Sequence, residues 1–258
     1  MYNRVVPMIL AVALFMENMD STVIATSLAA IAHDIGSEPI ALKLALTAYL
    51  VALAIFIPIS AWMADRWGAR NVFRVAIVIF ITGSIACAAS NSLFTFVLSR
   101  FLQGFGGALM TPVARLVVVR ITPRNHLVDA MAWLSIPGLI GPIVGPPVGG
   151  FITTYLSWHW IFLINVPIGI LGIVMVTWLL PDWHRNAPRR MDFPGFFFTG
   201  VAFAGWVFGI SVLTLPALPL IYGYVTLIVG TISAAIYLWW ARRTEFPILD
   251  LKLFRFPL

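Results

Sequence analysis

Four stretches of this chain contain no Asp, Glu, Lys or Arg: residues 44–64, 75–99, 130–181 and 193–241. They are 21, 25, 52 and 49 residues long. One helix crossing the hydrocarbon of a bilayer needs about 20 predominantly apolar residues. The two longest runs are therefore each long enough for two helices. The first breaks near Ser157-Trp158-His159 and the second near Leu215-Pro216-Ala217-Leu218-Pro219. With the apolar N-terminal run and the continuation past Ser99, the pattern predicts eight spans, at about 5–32, 41–64, 72–91, 93–117, 129–152, 159–180, 193–213 and 219–241. The runs are continuous rather than alternating, which argues against barrel strands. The fold class read from this is an all-α, multi-pass membrane protein. Composition agrees: 61% of residues are hydrophobic and 10% charged, against about 25% charged in soluble domains. That excess of apolar residues excludes a soluble enzyme.

The few charges are unevenly placed. If Arg4 is cytoplasmic, the same side carries Arg66, Arg70, Arg74, Arg115, Arg120, Arg124, Arg185, Arg189, Arg190, Arg242, Arg243, Lys252 and Arg255, and the other side only Lys43. Arg100 lies inside a span. Cationic loops stay on the cytoplasmic face, so both ends of the chain are expected there. The net charge of +6 is then the imprint of those loops, and no nucleic-acid partner is expected. Arg4 followed by Val5–Phe15 looks briefly like a cleavable leader, but Glu17 and Asp20 follow and the apolar pattern resumes. A single cysteine, Cys87, excludes a disulfide framework.

Charged groups inside apolar spans are the candidate functional residues. Glu17 and Asp20 lie three apart in the first span, on one helical face. A carboxylate is costly in hydrocarbon and should face a protein interior or an aqueous cavity. One reading is a site that takes up and releases a proton; the other is a structural carboxylate held by a neighbouring helix. Arg100, in the fourth span, is the matching cation. At 1.5 Å per residue, Asp20 lies about 18 Å and Arg100 about 10 Å from the same membrane face. Direct pairing, or pairing through water, is expected if long side chains cover the difference; the alternative is an arginine bonded to backbone carbonyls. Gln103, Gly104, Gly107, Ala108 and Thr111 follow on that span, with the glycines forming a small-residue stripe. A phosphate-loop reading of Gly104-Phe105-Gly106-Gly107 fails because no strand precedes it.

The fifth span is dense in Gly and Pro, with Gly141, Gly145 and Gly149 recurring every four residues. Neighbouring helices can satisfy the backbone groups such a segment frees, and the glycine period permits close approach. Tight packing and a role in setting how a pathway opens are both open readings. Ala64–Arg70 reads as a tight charged turn between the second and third spans, with Gly68 supplying a permissive backbone. His33, His126, His159 and His184 stand at loops or span ends without spaced partners. No nucleophile–base pair or metal cluster is legible, so no enzyme activity and no cofactor are expected.

Five segments in this order carry a resemblance. Met19–Ile24, with Asp20 at its acidic position, resembles the first-helix motif of the fourteen-helix drug:proton antiporters (EmrB/QacA-type) of the major facilitator superfamily. Ala61–Arg70, with Asp65, Arg66, Gly68 and Arg70, resembles the superfamily's loop motif. Arg100, Gln103 and Gly104 match the fourth-helix motif. The stretch from Gly141 to Gly150, containing Pro142, Gly145, Pro146 and Gly149, resembles the fifth-helix antiporter motif, and Trp158–Pro167 the entry to helix six. Ala61, Ala69, Ala29 and His159 depart mildly from the family's usual residues.

The resemblance implies an N-terminal six-helix bundle at 1–180, a cytoplasmic loop at 181–192, an additional helix pair at 193–241, and a cytoplasmic segment at 242–258. Asp250–Phe254 resembles the lead into a further helix. A second bundle would be missing from 258 residues, and Asp65 would lack the partner that bundle supplies. The implied activity is proton-coupled efflux of hydrophobic or amphipathic drugs from the bacterial inner membrane, with Asp20, Arg100 and Glu17 in coupling. The partners implied are the lipid bilayer, a small hydrophobic substrate, protons and the missing C-terminal half, with the proton gradient in place of any cofactor. Whether a periplasmic adaptor joins is not legible. The rival readings are a narrower solute transporter of the same fold, a truncated non-transporting fragment and, least supported, a membrane-embedded enzyme.

Overall fold

The computed structural model describes residues 5–180, 190–214 and 218–249. Ten α-helices and no strands occur among the described residues: α1 Val5–Val23, α2 Leu28–Ile35, α3 Pro39–Trp67, α4 Ala69–Ala88, α5 Leu93–Ile121, α6 Leu127–Tyr155, α7 His159–Leu163, α8 Asn165–Leu179, α9 Phe193–Thr214 and α10 Leu220–Ala241. Eight segments among them are long and apolar enough to cross a membrane. The expected spans are all found, so the all-helical multi-pass class holds.

Two spans are interrupted where straight helices were expected. The first ends as α-helix at Val23, passes through a 3-10 turn at Ile24–Thr26, and resumes as α2. Hydroxyls crowd this break: Thr22 donates to the Asn18 and Met19 carbonyls, and Thr26 to that of Val23 at 2.7 Å. Such side chains offer the backbone carbonyls a second partner and loosen the helical ladder. The sixth span divides at Ile164 into α7 and α8. Pro167, in the first turn of α8, has no N–H to give the Leu163 carbonyl.

The charged turn after the second span is almost absent. Asp65 and Arg66 belong to the last turn of α3, and Gly68 alone separates α3 from α4. Gly68 has φ 83° and ψ 132°, a region nearly closed to residues with a side chain. The expected loop is thus a one-residue corner.

Helices pack mainly in pairs: α1 on α6, α3 and α4 on α5, and α9 on α10. α8 lies against α1 and α4, and α9 against α3. Phe73, Ile77 and Phe80 of α4 with Leu109, Met110 and Val113 of α5 build one buried core. A second, toward α2 and α7, holds Ile31, Leu42, Phe96, Trp158 and Phe162. There the Trp158 indole N–H donates to Asp34 at 2.9 Å and fastens the start of α7 to α2.

Glycines decide the α1–α6 contact. A Cβ on Gly141 would stand 2.9 Å from the Met19 amide nitrogen, and one on Gly149 2.9 Å from the Val23 carbonyl oxygen. A Cβ on Gly145 would collide with the Thr22 hydroxyl. The expected packing stripe is therefore present, but Pro142 and Pro146 are exposed on the other side of α6, and Gly150 has nothing within 4 Å of an added Cβ. A period of four on a helix of 3.6 residues per turn carries only one residue in four onto the α1 face. These three members of the motif therefore take no part in helix packing here.

α9 and α10 approach through Gly205, Gly209, Gly223 and Gly230, and Thr47 of α3 bonds to Ser211 of α9. Asp192 caps α9 by accepting from the Gly195 amide at 2.9 Å and also accepts from the Trp240 indole at 2.9 Å. Outward faces carry large apolar side chains such as Phe94, Ile143 and Trp178, as contact with lipid requires. Arg4, Arg185, Arg189, Lys252, Arg255, His184, the Asp250–Phe254 segment and most of the 181–192 loop lie outside the described residues.

Candidate functional site

The most polar point of the interior is Asp20. It sits in the last turn of α1, is 1% exposed, and is bonded by side chains of two other helices, α5 and α8. Arg100 of α5 donates through Nη1 to its Oδ2 at 2.6 Å. Gln103, one turn on in α5, donates through Nε2 to Oδ1 at 2.9 Å, and Asn165 at the start of α8 through Nδ2 to Oδ1 at 2.7 Å. The hydroxyl of Ser84 in α4 accepts from both amides, at 2.7 Å from Gln103 and 3.2 Å from Asn165. Arg100 Nη1 also donates to Gln103 Oε1.

The pairing of Asp20 and Arg100 is direct, without the intervening water that their depths allowed. Those depths assumed an unbroken first helix. The interruption after Val23 removes residue count as a measure of depth. The Tyr49 ring of α3 lies 4.5 Å from the guanidinium carbon, and the Phe162 ring 5.9 Å, so aromatic faces cover the cation where hydrogen bonds do not. Arg100 Nε and Nη2 and Asn165 Oδ1 are buried without hydrogen-bond partners. The guanidinium keeps donors in reserve, while the carboxylate accepts from three donors at once.

Gly104 lets α5 reach α3. A Cβ there would stand 2.6 Å from the Tyr49 carbonyl oxygen and 2.9 Å from the Ala52 Cβ. Gly83 of α4 performs the same service against the Gln103 backbone, at 2.6 Å. Close approach thus brings Ser84, Gln103 and Asp20 within bonding distance.

Glu17, one turn from Asp20, stays outside that network. Its Oε2 accepts from the Thr111 hydroxyl at 2.9 Å. No cation pairs with it among the described residues.

The corner residues form a second polar cluster at the other ends of the helices. Asp65 pairs with Arg120 of α5 at 2.7 Å, a partner within this bundle that the sequence did not suggest: α5 runs on to Ile121 and places Arg120 beside the end of α3. Arg70 donates to the Thr177 carbonyl and ties α4 to α8. Arg66 is exposed. Among the described residues no group of three His, Cys, Asp or Glu could hold a metal ion. Sequence reading named Asp20, Arg100 and Gln103 but missed Ser84, Asn165 and Tyr49. Asn165 lay inside a matched motif; Ser84 and Tyr49 carried no signal beyond being polar in an apolar run.

The pattern of the Major Facilitator Superfamily matches residues 10–244. Candidate multidrug resistance proteins named MdtD are similar to the chain. The relative from Enterobacter sp. (strain 638) is 40% identical over 255 residues, covering 96% of this chain and 52% of its own. That from Escherichia coli (strain K12 / DH10B) is 38% identical over 255 residues, with the same coverage. The chain thus spans about half the length of these curated relatives. A solved D-xylose-proton symporter superposes with TM-score 0.63 at 16% identity, over 90% of this chain and 66% of that one. The proton:xylose symporter XylE superposes at 0.61 with 12% identity, over 91% and 51%. At such identities the likeness concerns the fold alone.

Proposed function

The chain belongs to the Major Facilitator Superfamily, a family of transporters rather than enzymes, and from that premise we propose that it serves proton-coupled export of hydrophobic or amphipathic compounds across a bacterial inner membrane. The reading places it among the fourteen-helix drug:proton antiporters of EmrB/QacA type. It supplies the N-terminal six-helix bundle (1–180), a connecting loop (181–192), the additional pair (193–241) and a segment (242–258) leading toward a second bundle. Both ends of this stretch face the cytoplasm, as the cationic loops favour. The multidrug resistance names of the relatives support the substrate class.

The observation that carries the proposal is the buried Asp20–Arg100 pair with its Gln103 and Asn165 donors. An ion pair inside a membrane bundle is costly and marks proton or ion pathways. In the proposed cycle a proton from outside adds to an Asp20 oxygen and neutralises it. Arg100 then loses its counter-charge, and its reserve donors turn to other partners. Release of the proton inward restores the pair. Substrate entry and protonation exclude one another, so the proton gradient drives efflux. Asp65, Arg66, Gly68 and Arg70 act in gating, since the Asp65–Arg120 and Arg70–Thr177 contacts hold four helix ends together on one side. Gly141, Gly145 and Gly149 keep α1 and α6 in close register, and the exposed Pro142 and Pro146, with the half-buried Gly150, face the second bundle.

The test is efflux of a lipophilic dye from reconstituted vesicles under an imposed pH gradient. The wild type is expected to respond to the gradient and Asp20→Asn to lose the response. Equal gradient-driven flux in both would remove Asp20 from coupling.

A further inference from the structure

Two amides donate to the same oxygen of Asp20, and they are not equivalent. Gln103 Nε2 reaches Oδ1 at 2.9 Å and Asn165 Nδ2 reaches it at 2.7 Å. Both side chains are fully buried. The carbonyl end of Gln103 is held: its Oε1 accepts from Arg100 Nη1 and lies 3.8 Å from the Cys87 sulfur. Turning this amide over would set its NH2 group against a guanidinium, which has donors only. The carbonyl end of Asn165 is not held, since its Oδ1 is buried without a hydrogen-bond partner. Of the two amides, only that of Asn165 can reverse without breaking a contact to Arg100.

Protonation changes what Asp20 requires. As a carboxylate it only accepts, and Arg100, Gln103 and Asn165 supply three donors. As an acid it has one O–H to give, and all three neighbours present donors to it. A buried donor without an acceptor is costly. Half a turn about the Asn165 Cβ–Cγ bond exchanges Nδ2 for Oδ1 in nearly the same place. The amide oxygen then accepts from the acid O–H of Asp20. It also accepts from the Ser84 hydroxyl, whose oxygen lies 3.2 Å from Nδ2 in the present arrangement and which donates as readily as it accepts. In either position one end of the amide makes both contacts and the other makes none, so the proton on Asp20 decides between them. Arg100 stays on Oδ2 in both.

We infer that Asn165 is the positioning residue for the Asp20 proton: its amide presents nitrogen to the carboxylate and, turned over, oxygen to the acid. The inference rests on the export reading, in which Asp20 is the proton site, and adds how that site registers its own protonation. The proton comes from water onto a lone pair of Oδ1 and leaves by the same O–H bond; no other covalent bond changes. Asn165 opens α8 directly after the joint with α7 at Ile164, so the turning amide lies at the break in the sixth span. The ionisable groups around Asp20 are Arg100 from α5, Cys87 from α4, Tyr49 from α3 and Glu17 on α1 itself. α8 holds no ionisable residue, and α6 only Asp129 and Tyr155 near its ends.

The test is infrared difference spectroscopy of the full chain in lipid films, acid minus alkaline, with asparagine carrying 13C at its side-chain carbonyl. An acid carbonyl band that Asp20→Asn removes marks protonation of Asp20. In step with it, one asparagine carbonyl band is expected to shift to lower wavenumber, because a carbonyl without partners gains two donors. The shift is expected to be lost in Asn165→Leu, which has no amide there, and in Asp20→Asn, whose carboxamide does not titrate. Asn165 is the asparagine bonded to Asp20, so loss of the shift in Asp20→Asn assigns the band even if Asn165→Leu fails to fold. An amide with a purely structural role donates at every pH and gives no shift. An Asp20 acid band without an asparagine shift, or with a shift that survives in Asn165→Leu, overturns the inference and leaves the export reading standing. Absence of any acid band that depends on Asp20 removes the proton site, and the export reading fails together with the inference.

Discussion

At the scale of single residues, the Asp20–Arg100 pair sets both an energetic and a functional demand. Both side chains are fully buried, and the removal of one member of such a pair leaves the other charged without compensation, at about 3–5 kcal/mol. Arg100→Ala is expected to lower stability by that order, read as a fall in the unfolding midpoint of the detergent-solubilised protein. Adding Asp20→Asn removes the stranded charge, so the double variant is expected to be more stable than Arg100→Ala by itself. If the two losses simply add, the residues are not coupled. The members of this pair were legible because a charge in an apolar run demands a partner, and each sequence carries few candidates. Ser84, Asn165 and Tyr49 were not. Neutral polar groups are tolerated in spans without any single purpose, and their meaning arises from helix contacts that spacing along one chain does not encode. Glu17 shows the opposite limit: as a carboxylate in an apolar span it looks much like Asp20, which is set apart in sequence only by its motif position, and packing separates a carboxylate with three donors from one with a hydroxyl.

At the scale of elements, the glycine period in α6 was legible, and Gly141, Gly145 and Gly149 all meet the first span; that Pro142, Pro146 and Gly150 of the same motif lie off that face was not, because a match to a motif does not say which of its residues pack. Three substitutions separate the roles. Gly141→Ala sets a Cβ against the Met19 backbone at 2.9 Å, where nothing can swing aside, and is expected to cost about 1–3 kcal/mol, as overpacking does. Gly145→Ala meets the Thr22 side chain, so a companion Thr22→Ala is expected to recover part of the loss; neighbours that share a contact are not additive. Gly150→Ala faces open space and should be within about 1 kcal/mol of the wild type or above it, since alanine favours helix over glycine. Thermal unfolding of the three in one detergent checks the ranking. The corner at Gly68 belongs here too. Its positive φ of 83° makes Gly68→Ala destabilising by about 1–3 kcal/mol, with the disturbance centred on the α3–α4 corner and readable as faster amide exchange at the ends of those helices. Span boundaries escaped the sequence wherever local hydroxyls or a proline cut an apolar run, as at Ile24–Thr26 and Ile164. Hydropathy is blind to such cuts because the residues on either side are equally apolar.

At the scale of the whole molecule, an even number of spans places the segments after the second, fourth, sixth and eighth on one side. The exposed Arg124 and Arg242 then share a side, and exposed Glu38, between the first and second spans, lies opposite. This arrangement puts the Asp65–Arg120 pair and the Arg70–Thr177 contact on the cationic side, which the positive-inside tendency favours as the cytoplasmic one. The native thiol helps the test: Cys87 is fully buried, so an impermeant maleimide has no ready target in the unmodified chain. Glu38→Cys is expected to be labelled on intact cells, whereas Arg124→Cys and Arg242→Cys are expected to be labelled only in inside-out vesicles. The reverse pattern would invert the molecule and place the corner cluster outside, where it could not gate access from the cytoplasm. Labelling of Arg124→Cys and Arg242→Cys from opposite sides would be more damaging. It would make the number of crossings between them odd and remove one of the four helical spans that α6, α7–α8, α9 and α10 provide. Charge placement fixes only which way the bundle faces; the parity of the spans fixes which functional clusters share a compartment, and this measurement reads both.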